Sequence, residues 1–125
     1  MKPTTKGSYV LIIKLLSAQT IKVGGLGEIY FPAGQYAYVG SAMGGFKSRL
    51  PHHFRKNKKL HWHIDYLLQK ARISSIIISE SHERIECTIA KALMKQFQCI
   101  VGFGSGDCKC KGHLFFLRRY QILGL

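Results

Sequence analysis

The chain has 125 residues, with 19 Lys and Arg against 6 Asp and Glu for a formal charge of +13, and 46% of it is hydrophobic. One domain is expected over residues 1–125, since domains commonly run to about 100–150 residues, and a domain this long buries roughly two-thirds of its unfolded surface without disulfide staples. The apolar fraction excludes a disordered polycation, and no run of about 18 apolar residues exists to span a membrane as a helix.

Lys2 and Lys6 precede Tyr9-Val10-Leu11-Ile12-Ile13, faintly like a secretory leader, but Lys14 interrupts the apolar stretch. Residues 8–16 therefore read as a first, buried strand of a mature cytosolic protein. Gly24, Gly25, Gly27, Pro32 and Gly34 fall among Ile21, Val23, Ile29, Tyr30 and Phe31, which predicts an added hairpin near residues 20–35. Tyr36 to Gly40 reads as a further strand. Gly44-Gly45 opens a helix with Phe46, Leu50 and Phe54 as its apolar stripe, and Pro51 requires either a late start or a bend. His61 to Lys70 predicts a short second helix, and Ile73 to Ser79 a strand. Ser81 suits the N-cap of a third helix, with Glu83 near its positive end. Residues 102–107 read as a loop and His113 to Leu117 as a final strand. A mixed sheet flanked by helices follows, of α+β or α/β class.

Basic residues recur at Lys47, Arg49, Arg55, Lys56, Lys58 and Lys59, and the isoelectric point is about 9.9. A field of that sign favours a polyanion, with nucleic acid ahead of a membrane surface because no basic amphipathic helix with a broad aromatic face is present.

Several groups of residues could carry chemistry. Glu86, Ala90, Leu93 and Phe97 recur at helical spacing, so Glu86 borders a buried face and needs a cation, a metal or hydrogen bonds. From periodicity alone, a salt bridge to a neighbouring Arg or Lys is its more ordinary role. Arg49 and His53 share a helix face and could grip phosphate and shuttle protons, or simply face solvent. Tyr9 and Tyr38 could accept protons if a positive field lowered a phenol from about 10, although singly each reads as an aromatic core residue. Near them, His61 is expected to flank the second helix while Trp62 packs in the core, leaving His63 a minor phosphate-binding role. Cys87, Cys108, Cys110 and His113, with Cys99 as an alternative, raise a zinc site, but without paired CxxC spacing buried reduced thiols are the favoured reading.

In order, Gly7-Ser8-Tyr9, Tyr38-Val39-Gly40, Arg49, His53 and Glu86 resemble the GIY-YIG nuclease family across about residues 7–97. Gly34-Gln35-Tyr36-Ala37-Tyr38-Val39-Gly40-Ser41-Ala42, His61-Trp62-His63-Ile64-Asp65-Tyr66-Leu67 and Phe103-Gly104-Ser105-Gly106-Asp107-Cys108 resemble its small stand-alone, Uri-type branch. The resemblance implies an α+β domain with a small mixed or antiparallel three-stranded core sheet flanked by helices. It implies a metal-dependent endonuclease hydrolysing phosphodiester bonds, with DNA as the expected substrate and a cytoplasmic location. Glu86 would hold Mg²⁺ or Mn²⁺, Tyr9 or Tyr38 would activate water, Arg49 would neutralise phosphoryl charge, and His53 would assist proton transfer. Lys47, Arg55, Lys56, Lys58 and Lys59 would bind the nucleic acid backbone. The rival expectation is a non-catalytic nucleic-acid-binding module on the same scaffold, and a third is a zinc-stabilised adaptor for acidic proteins. Oligomeric state is left open.

Overall fold

The computed structural model describes residues 5–105 and 110–120. Its elements are β1 (Gly7–Leu15), β2 (Gln19–Lys22), β3 (Glu28–Phe31), β4 (Gly34–Ala42), α1 (Phe46–Phe54), α2 (His63–Leu68), β5 (Arg72–Glu80), α3 (Glu86–Met94), β6 (Gln98–Cys99) and β7 (Leu114–Arg119). The main sheet is five-stranded in the order β5-β1-β4-β7-β6, with every neighbouring pair antiparallel. The class is α+β. The strands β5, β1 and β4 form the expected core of three, and β7 and β6 extend it at one side. The expected hairpin is present as a separate two-stranded sheet of β2 and β3.

Alternation along β1 divides the molecule into layers. Tyr9, Leu11, Ile13 and Leu15 join Tyr36 and Tyr38 of β4 in the larger core cluster, packed with Phe46 of α1, Ile64, Leu67 and Leu68 of α2, and Ile21, Val23 and Phe31 of the hairpin. Val10, Val39 and Phe115 belong to a smaller cluster, covered by Ala90, Ile89 and Leu93 of α3. One face of the sheet therefore carries α1, α2 and the hairpin, and the other carries α3.

Two local expectations change. Phe54 is 57% exposed, and His53 takes the buried place on α1 instead. At about 100° per residue, position 53 lies closer to the direction of Phe46 than position 54 does. Pro51 is accommodated inside the helix. Ser81 does not cap α3, because its Oγ accepts the Glu83 backbone N–H at 3.0 Å in a local turn and the helix begins only at Glu86. Glu86 thus occupies the first helical position, where the unpaired N–H groups of the helix favour a carboxylate.

Candidate active site

The two helical layers meet at the C-terminal end of β4 and enclose a cleft of about 420 Å³. Its wall includes Tyr38 from β4, Arg49 from α1, Trp62 and His63 at the start of α2, Glu86 from α3, and His113 just before β7. Residues distant in sequence converge because β4 runs centrally through the sheet and helices from opposite faces end beside it.

Arg49 is held by stacking. Its guanidinium carbon lies 3.9 Å from the centroid of the Trp62 ring, a cation–π arrangement of the kind that contributes about 0.5–2 kcal/mol. Its Nε has no hydrogen-bond partner among the described residues. Glu86 faces Arg84 across 3.5 Å and His113 Nδ1 across 3.9 Å, with its side chain only 14% exposed. The ordinary salt-bridge role is present, yet the carboxylate still lines the cleft. Phe103 plugs the core beside Tyr38 and His63. The Gly104 N–H donates to His63 Nδ1 at 2.8 Å, so the neutral His63 ring keeps its proton on Nε2.

Tyr9 and His53 stand behind this wall rather than in it. Tyr9 Oη and His53 Nε2 share a hydrogen bond of 2.6 Å, and the Tyr9 ring lies across Gly40, its partner on β4. A Cβ added at Gly40 would sit 2.3 Å from Tyr9 Cζ, so this glycine makes room for the Tyr9 ring.

Residues 8–123 match the family model described as the domain of unknown function DUF123. The chain belongs to the DUF123 family. No curated protein and no solved structure matches it.

In this DUF123 chain the condition for a phenol base, a lowered pKa, is not met. Burial pushes Tyr9 up to about 12, outweighing the opposing pull of Arg49. Tyr38 is raised further, by burial and then by Tyr9 beside it. His53 is lowered to about 4 by burial, with Lys58, Arg49 and His52 adding to the effect and Asp65 opposing it.

The basic loop also divides in a way that composition does not reveal. Lys58 is a structural cation, its Nζ 2.8 Å from the His52 carbonyl oxygen and 3.4 Å from Asp65 Oδ1. Lys56 Nζ donates to the carbonyls of Leu68 and Ala71, closing the C-terminal end of α2. Lys47, Arg55 and Lys59 remain exposed on the surface.

Sequence reasoning gave Asp65 no role, yet it organises one wall of the cleft. It is fully buried, accepts the backbone N–H groups of His61 and Trp62 at 2.9 Å each, and pairs with His52 and Lys58. Burial alone would raise its carboxyl, but the two backbone donors, Lys58 and His52 outweigh that and hold it below its ordinary value. Its place three residues after Trp62, at the third position of α2, is the signal that could have marked it as a cap. Trp62, expected in the core, packs half-buried against the larger core cluster and also supplies the platform under Arg49. Cys87, Cys110 and His113 come together, whereas Cys108 lies outside the described residues. No helix among the described residues is long and apolar enough to cross a membrane.

Proposed function

We propose that this chain is a divalent-metal-dependent endonuclease of GIY-YIG type that hydrolyses phosphodiester bonds in DNA. The observation that carries the reading is the convergence of Tyr38, Arg49 and Glu86 on one cleft, with the Tyr9–His53 pair directly behind it. The donor set suits a hard ion, because Glu86 offers carboxylate oxygens and the cleft has room for the waters Mg²⁺ retains. When bound, Mg²⁺ would offset negative charge on the leaving oxygen.

The protein's own groups account for the rest. Arg49, seated over the Trp62 ring, presents donors to the non-bridging oxygens, where prepared charge acts most strongly. Tyr38 brings its hydroxyl to the cleft wall, and Tyr9 can donate its own proton to His53 Nε2. Since burial holds both phenols protonated at neutral pH, a phenol oxygen can take a proton from water only as it passes its own on, and His53 Nε2 is placed to receive that of Tyr9. The exposed Lys47, Arg55 and Lys59 supply phosphate contacts. The reading carries with it the expected cytoplasmic setting, where thiols stay reduced.

The raised phenols also favour a second reading, a nucleic-acid-binding module that has kept the scaffold without the chemistry. Labelled duplex, branched and single-stranded DNA incubated with Mg²⁺ or Mn²⁺ separates the two. The nuclease reading expects metal-dependent cleavage that Glu86→Gln lowers by at least ~10²-fold while binding changes little. Salt-sensitive binding without cleavage under either ion establishes the module instead.

A further inference from the structure

Cys87 in the first turn of α3, Cys110 and His113 place one ligand atom each within 4.8 Å of one another. We propose that these three residues hold a zinc ion, through Cys87 Sγ, Cys110 Sγ and His113 Nε2. Cys87 Sγ already lies 3.9 Å from His113 Nε2. A tetrahedral site with Zn–S near 2.3 Å and Zn–N near 2.0–2.1 Å separates its corners by roughly 3.5–3.8 Å, so closing the cluster on an ion needs shifts of only a few tenths of an ångström to about 1 Å. Two sulfurs and an imidazole are a soft donor set, which selects zinc over the hard ion proposed for Glu86. Binding converts two thiols to thiolates and releases two protons.

The histidine links this site to the cleft. Its Nε2 faces Cys87, while its Nδ1 faces Glu86 Oε2 at 3.9 Å. Zinc on Nε2 obliges the ring to carry its proton on Nδ1, the nitrogen aimed at the carboxylate. Closing the 3.9 Å gap to hydrogen-bond distance would complete the carboxylate–histidine–zinc arrangement by which outer groups orient a metal ligand. With that gap closed, Glu86 would orient the zinc-bound ring and the zinc would in turn restrain Glu86.

The site stands whether or not the protein cleaves DNA, and its test does not use cleavage. Protein purified under reducing conditions without added metal, then passed over a chelating resin, is analysed for metal and for cobalt spectra. About one zinc per chain is expected, with a thiolate-to-cobalt charge-transfer band after substitution. Cys87→Ser and His113→Asn each lower zinc content by about tenfold or more, whereas Cys99→Ser, which lies outside the cluster, does not. Should wild-type protein hold less than about 0.1 zinc per chain, and chelated protein show no thiolate band on cobalt titration, the proposal is overturned without recourse to any variant that might misfold.

Discussion

Tyr9 and His53, 44 residues apart, close a hydrogen bond of 2.6 Å in a part of the molecule where Tyr9 is 1% and His53 3% exposed. Burial pushes the phenol up to about 12 and the imidazole down to about 4, so both are neutral at physiological pH. The pair is a polar seam through the core, and its stability depends on protonation.

An unfolded His titrates near 6.5, whereas folded His53 does so at about 4. Above pH 6.5 neither state is protonated and the contribution is complete. As pH falls from 6.5 towards 4, the unfolded chain takes up a proton that the folded chain refuses, and on the order of 3 kcal/mol is lost. Urea midpoints measured across that window should fall steeply in the wild type and less steeply in His53→Gln. His63, lowered by burial as well, contributes to the slope that remains.

Gly40→Ala should destabilise the fold by about 1–3 kcal/mol, because the new Cβ meets the Tyr9 ring at 2.3 Å and that ring is held by its bond to His53. Gly44→Ala is the matched control. Nothing lies within 4 Å of a Cβ there, so the change should stay within about 0.5 kcal/mol. Denaturant midpoints of the two variants check both statements.

Asp65→Ala leaves Lys58 with a side chain 4% exposed and its carboxylate partner gone. A loss of about 3–5 kcal/mol is expected, because an uncompensated charge stays buried. Lys58→Met in the Asp65→Ala background should recover part of it. A double-mutant cycle should return a coupling of about 1–3 kcal/mol, and additive losses would show that the two act independently.

Salt titrations of DNA binding should sort the basic residues. Lys47→Gln, Arg55→Gln and Lys59→Gln should each reduce the slope of log affinity against log salt by about 0.9, as expected for one phosphate contact apiece. Lys56→Gln should instead lower thermal stability and leave the slope nearly unchanged, since its Nζ is engaged by the Leu68 and Ala71 carbonyls.

That division of the lysines shows where sequence reading stops. Strand alternation in residues 8–16 and the turn glycines at 24–34 declare the sheet and the hairpin, because both are local consequences of backbone geometry. Glu86 was legible through scarcity and helical spacing. Lys58 and Lys59 are indistinguishable as letters, since what separates them is a carboxylate and a carbonyl brought in from elsewhere. Trp62 under Arg49, and Asp65 under the start of α2, depend likewise on how helices dock. The Phe54 expectation failed on a single step of helical rotation, which four-residue spacing does not resolve.

Among the described residues α3 is the one helix on its face of the sheet, with Ala90 its sole fully buried residue. Yet its first turn carries both Glu86 and Cys87. Undocking of this one element would dismantle the acid and a metal-ligating thiol together while the larger core on the opposite face stayed folded. A local opening of α3, costing less than global unfolding, would then act on both proposed ion sites at once, and anything that clamps α3 to the sheet would tighten them together.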